Sequence, residues 1–226
     1  VGGHLVGNAV WTGWPVRELL ARAGPLPEAD MVLSTSVDGW AAGTPLEVLT
    51  DERNSLLAVG MNGQPLPPEH GFPVRMVVPG LYGYVSATKW VVDLKVTRFA
   101  DDEGYWTPRG WAARGPVKTA SRIDVPRGGR IDAGPTVVAG VAWAQHRGIR
   151  TVEVRVDDGA WREATLAAEP SIDSWRMWLL EWDAPPGEHR LTVRATDGTG
   201  QTQTEELAPP APDGASGWHT VEVEVS

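Results

Sequence analysis

Residues Met61–Gly80 read MNGQPLPPEHGFPVRMVVPG, and Leu81–Trp90 continue as LYGYVSATKW. The stretch is dense in backbone punctuation: Pro65, Pro67, Pro68, Pro73 and Pro79 alternate with Gly63, Gly71, Gly80 and Gly83. Proline fixes φ and glycine allows close backbone approach, so the segment predicts a rigid, irregular path rather than a helix or a plain strand. On that path sit His70, Arg75 and Lys89. Arginine offers a planar fork suited to phosphate, and lysine a point charge. The set suits an anionic ligand rich in hydrogen-bonding groups. It equally suits a loop whose donors satisfy its own carbonyls, and the residues alone leave both readings open.

On either side the character of the chain divides in two. Residues 1–117 mix short helices and strands without a regular βαβ alternation, which favours α+β over a doubly wound sheet. Val16–Gly24 is a helix by pattern, with Pro15 before it and Gly24 closing it, and a second short helix opens at Pro45–Leu49. Met31–Val37, Leu56–Met61, Arg75–Val78 and Trp90–Phe99 read as strands. Residues 118–226 alternate instead. Thr136–Trp143, Thr151–Val156, Trp161–Leu166, Trp175–Trp182, His189–Thr196, Thr202–Leu207 and Trp218–Val225 are separated by Asp-Gly and Pro-Gly turns. About seven short strands at that spacing predict an immunoglobulin-like sandwich. The boundary falls near Arg114–Pro126.

Composition narrows the function classes. With 226 residues, 42% hydrophobic and 22% charged, the chain is globular and long enough for two cores. A net charge of −9 with no Lys/Arg run argues against nucleic acid. The absence of cysteine removes disulfides, thiolate metal sites and thiol nucleophiles from these residues. No run of about 18 apolar residues is present. There is no P-loop, dinucleotide fingerprint, paired-His metal helix, calcium loop or nucleophile elbow. Asp101-Asp102-Glu103 lacks calcium-loop spacing and reads as a solvated turn. Twelve tryptophans read chiefly as core and interface residues, with one or two left to line a site.

The Asn62-Gly63 turn, the His70-Gly71-Phe72-Pro73 run, Arg75 and the Lys89-Trp90 pair, in this order, resemble the core signature of the sulfite oxidase family of molybdopterin enzymes. The stretch Val1–Gly13 is similar to the same family. In the second half the resemblance extends to its dimerisation domain, through Gly140–Trp143, Trp175–Trp178, Val193–Asp197 and Gly217-Trp218-His219. It covers essentially the whole chain. It implies an incomplete mixed α+β molybdopterin-binding domain over 1–117, followed by an all-β immunoglobulin-like dimerisation domain over 118–226.

The resemblance implies the rest as well. The cofactor would be molybdenum-molybdopterin, with His70, Arg75 and Lys89 on the pterin and its phosphate. The metal-ligating cysteine would lie shortly upstream of Val1, so this stretch by itself would be inactive. Where sulfite oxidases bring a tyrosine to the metal, Gly104–Trp111 here places Trp111, which lacks a phenolic proton and puts sulfite in doubt as the substrate. Arg109 would meet an anionic substrate, and Arg147 would reach the cleft from the second domain. The parent would carry out two-electron, oxygen-atom chemistry on a small anionic or oxo substrate and pass electrons to an acceptor. It would form a homodimer through the sandwich and belong to an exported or membrane-anchored protein. Two other classes fit the residues: a catalytically silent dimerisation fragment, and a sandwich that binds a protein or sugar partner on exposed tryptophans.

Overall fold

A computed structural model describes residues 6–226. These described residues are mostly β, with two short α-helices. It divides into two units, one running up to Pro116 and including Ala211–Asp213, the other comprising Val117–Pro210 and Gly214–Ser226. Of the stretch Val1–Gly13, the residues Val1–Leu5 lie outside the described part.

In the first unit, strand Leu56–Met61 pairs with Trp11–Pro15, Gln64–Pro65 and Arg75–Val77. A separate three-stranded sheet runs Ala41–Pro45, Met31–Ser36, Val91–Thr97. Helix Val16–Ala23 begins after Pro15 and stops at Gly24, whose left-handed backbone donates its N–H to Leu20 O. Its inner face, Val16 and Leu20, packs with Val32, Leu49, Met76 and Val85. Burying such side chains contributes roughly 1.5–3 kcal/mol each. The core therefore anchors Met76 directly beside Arg75.

The second unit places two antiparallel-paired sheets around one core. Thr165–Leu166, Arg176–Ala184, Gly134–Trp143 and Ala120–Val125 form one sheet. Arg162–Glu163, Ile149–Val156, Gly187–Asp197 and His219–Val225 form the other, and Gly129–Ile131 joins its edge in parallel. Ile123, Val138, Trp178, Leu180 and Trp182 from the first meet Val152, Val154, Leu191, Val193 and Val223 from the second. Strict alternation along Arg176–Ala184 buries Trp178, Leu180 and Trp182 on one side.

Two details depart from the reading of the sequence. Thr202–Leu207 is not a strand. Thr202 makes only an isolated bridge to Thr196, and the buried Gln203 side chain donates to Gly217 O and accepts from Ser121 Oγ and Ala195 N. A side chain turned inward to serve three partners replaces a ladder. Trp161–Leu166 is two pieces, because the chain passes from one sheet to the other at the buried Ala164.

Candidate functional site

The proline-rich segment folds into a 3-10 turn over Pro68–His70, closed by Gly71 with φ +109°. Three consecutive carbonyls of that turn are each taken by a different side chain. Trp90 Nε1 donates to Pro68 O at 2.8 Å, Lys89 Nζ to Glu69 O at 3.0 Å, and Arg75 Nη1 to His70 O at 3.2 Å. Arg75 Nε also donates to Met76 O at 3.3 Å. Gly71 sits between the two cationic stems: a Cβ there would lie 3.0 Å from the Cβ atoms of both Arg75 and Lys89. The turn, Arg75 and Lys89 are thus packed as one body.

Each donor is fixed from behind. Arg75 opens strand Arg75–Val77, whose Met76 is fully buried and donates its N–H to Thr88 O at 2.8 Å. Thr88 is buried in turn, its hydroxyl 2.6 Å from that of Ser34. Lys89 is therefore held by its neighbour on one side and by Trp90 on the other, where the ammonium lies 4.5 Å from the indole ring. Trp90 has φ +50°, an uncommon conformation for a bulky residue. The Arg75 guanidinium lies 5.0 Å from the Trp11 ring. Burial lowers its pKa, and arginine remains charged regardless. Near Lys89, the Asp38 carboxyl is held below its ordinary range mainly by the Trp40 N–H, with a smaller attraction from Lys89. The His70 ring is exposed, with no hydrogen-bond partner among the described residues.

Arg109 and Trp111 occupy a second place in the same unit. Thr107–Arg109 is a 3-10 turn, and Arg109 donates to Tyr105 O while its guanidinium lies 3.7 Å from the Tyr105 ring. Trp111 is 4.8 Å from the Tyr84 ring and 5.9 Å from that of Trp106. Tyr82 and Tyr105 extend this to an unbroken row of five aromatic rings. Burial raises the Tyr84 phenol above its ordinary pKa. No hydrogen bond or ring contact among the described residues joins Tyr84, Tyr105, Trp106, Arg109 or Trp111 to the turn at Pro68–His70.

The donor set fits an anionic, oxygen-rich group. Lys89 Nζ and the Arg75 fork each satisfy one or two loop carbonyls and keep further N–H groups, and both positive charges flank an exposed histidine. Among the described residues there is no group of three or more acidic, histidine or cysteine side chains placed to hold a metal ion.

The family model "Oxidoreductase molybdopterin binding domain" matches residues 1–106. Mitochondrial sulfite oxidase of Mus musculus is 30% identical over 258 residues, covering 97% of this chain and 47% of that protein. The Homo sapiens protein is 31% identical, covering 98% of this chain and 47% of its own length. Among solved structures, the sulfane dehydrogenase SoxCD from Paracoccus pantotrophus superposes with a TM-score of 0.77 at 28% identity, over 96% of this chain and 60% of that one. The chain belongs to the sulfite oxidase family of molybdopterin-binding oxidoreductases. It spans about half the length of the curated relatives it matches. Molybdenum-molybdopterin is the cofactor of this oxidoreductase family.

Arg147 is held by partners of its own unit. Its Nε donates to Asp197 at 2.9 Å, its Nη1 to Val117 O at 3.0 Å and its Nη2 to Thr119 Oγ1 at 3.0 Å, so it is a brace inside the second unit. Asp101 and Asp102 pair with Arg98 and Lys95. Trp11 lies against Arg75 and is a residue that the sequence did not single out. The Gly71 signal was present in the His-Gly-Phe-Pro run, whereas nothing local marked Trp11.

Proposed function

We propose that this chain is the cofactor-gripping and substrate-facing part of a molybdenum oxidoreductase that exchanges an oxygen atom and two electrons with a small anionic or oxo substrate. The observation that carries this reading is the convergence of Arg75, Lys89 and Trp90 on three successive carbonyls of one turn, with cationic N–H groups left over beside the exposed His70. When bound, the molybdenum centre supplies the redox chemistry and the oxygen exchange.

The chain's own residues supply position and charge. Arg75 and Lys89 neutralise a terminal phosphate, and His70 offers a ring nitrogen to the polar edge of the pterin. Because the turn is already braced, these donors are oriented before any ligand arrives. Arg109 attracts an anionic substrate with the N–H groups not directed at Tyr105. Trp111 provides an indole N–H and a flat wall but no proton that it can release at neutral pH, unlike a phenol. The electron acceptor is a separate partner.

The test is molybdenum content per chain, by elemental mass spectrometry, in the complete gene product from a host that makes the cofactor. About one metal per chain is expected, with Arg75→Ala retaining a small fraction of it. A metal-free wild type would favour a catalytically silent member of the family, and unchanged metal in the variant would remove Arg75 from the cofactor site.

The second unit supports an additional reading, an immunoglobulin-like domain that forms a homodimer. On the sheet face turned away from its core, Met177 is 62% exposed, Leu179 42% and Val137 39%. Register places Met177 beside Val141 and Leu179 beside Ala139. The outward positions of this strand are apolar at Met177 and Leu179 and acidic at Glu181 and Asp183, and the apolar half calls for a cover.

A further inference from the structure

The other sheet of the second unit carries a different feature on its outward face. Register sets Trp161 next to Arg155 by continuation of the Val154–Arg162 pair, Arg155 opposite Thr192, and Glu153 opposite Arg194. Trp218 precedes His219, which pairs with Val193, so it lies next to Arg194. The two tryptophans start from opposite flanks, yet their rings meet edge to face at 5.1 Å. They close over the two arginines. The Arg155 guanidinium is 4.9 Å from the Trp161 ring and 5.6 Å from the Trp218 ring, and that of Arg194 is 4.2 Å and 6.0 Å away. Trp218 is pinned by its Nε1 donating to Gln203 O at 3.0 Å.

The charges in this box do not balance. Arg194 Nε donates to Glu153 at 2.8 Å. Arg155 has no ion pair or hydrogen bond among the described residues, and its Nε is shielded from solvent without a partner. Two guanidinium groups share one bonded carboxylate, so one positive charge and one buried donor are unmet. Buried donors are normally paired, and partly buried charges more so. Aromatic faces stabilise a guanidinium but accept none of its in-plane N–H bonds.

We propose that Arg155, between Trp161 and Trp218, is a binding site for a carboxylate side chain on an acidic segment of a partner protein. The unmet charge is one unit, which matches a carboxylate and not a phosphate dianion. The fork geometry of arginine fits a carboxylate in two parallel bonds. The site lies on an open sheet face, which an extended peptide segment can follow. Against a chain of net charge −9, a local cationic patch gives such a partner one place to land.

The test is nuclear magnetic resonance of the arginine Nε–H groups of the full chain, titrated with a short Glu-Ser peptide and, separately, with its Gln-Ser counterpart. The Arg155 Nε–H signal is expected to shift saturably with the first and not with the second. Arg155→Gln is expected to fold and to bind the Glu-Ser peptide roughly tenfold or more weakly, as befits loss of a charge-assisted pair. Should that variant unfold, Arg155→Lys keeps the charge, loses the fork, and is expected to show the same weakening. Equal shifts with both peptides, saturation by chloride at matched ionic strength, or undiminished binding in the variants would overturn the proposal. So would a signal that moves with protein concentration alone, which would make the occupant a second copy of this chain.

Discussion

Gly71 combines a left-handed backbone with two neighbours at 3.0 Å from any added Cβ, and those neighbours are Arg75 and Lys89. Gly71→Ala is therefore expected to cost roughly 1–3 kcal/mol and to move both cations. Urea unfolding would measure the cost, and a variant as stable as wild type would show that the turn relaxes freely. Asp197 makes the complementary case. It is fully buried and accepts from Thr199 N and Oγ1, Gln201 N, Thr119 Oγ1 and Arg147 Nε. Burial alone would raise its pKa, but the bonds from Thr199, Arg147, Thr119 and Gln201 outweigh that and hold it far below the carboxylate range. Asp197→Asn strands Arg147 and is expected to cost about 3 kcal/mol or more, read as a fall in denaturation midpoint at neutral pH. At this scale the sequence was partly legible. The Gly/Pro rhythm around His70 and Arg75 announced a rigid path, because those residues act locally through φ. It could not announce that Trp90 would cap Pro68 from 22 positions away, or that Arg147 would turn inward to Asp197, because both depend on long-range packing.

At the level of elements, one tie joins a turn to a strand. His189 Nδ1 lies 2.9 Å from Asp157 Oδ2 and its Nε2 3.0 Å from Pro185 O, so both ring nitrogens face acceptors and the imidazolium form is favoured. The Asp157 bond chiefly raises the His189 pKa, while the Arg190 N–H and then His189 lower that of Asp157. The raised histidine contributes stability that is complete below its unfolded pKa, near 6.5, and fades as pH rises through the folded value. The depressed carboxylate contributes above its unfolded pKa, near 3.9, and fades as pH falls through the folded one. Wild type should thus exceed Asp157→Asn most between about pH 4 and 6.5, in paired thermal unfolding series. A difference independent of pH would remove the ionic reading of this tie. The strands themselves were readable where alternation is strict, as along Arg176–Ala184 and His219–Val225. Thr202–Leu207 misled because a polar residue in an alternating frame looks outward-facing, and Gln203 faces inward.

For the whole molecule, the reading of a homodimer makes its own demand. If the apolar face around Met177 and Leu179 is covered by a second copy, Leu179→Glu should shift sedimentation from dimer to monomer at micromolar concentration, since a like charge would be placed on both sides of a two-fold contact. A wild type that stays monomeric, or a variant that stays dimeric, would place the contact elsewhere. The α+β expectation proved coarser than the molecule, which is mostly β with helices Val16–Ala23 and Leu46–Thr50. Short helices at proline starts were legible, but their small share was not, because sheet pairing among Trp11–Pro15, Leu56–Met61 and Arg75–Val77 joins segments that no local pattern connects.

The turn at Pro68–His70 is secured by the same Arg75 and Lys89 that are proposed to hold the cofactor. If these residues hold the cofactor, a turn that they already brace would be expected to stand before the prosthetic group arrives, and its delivery would then be a docking event onto a finished surface and not a trigger for folding.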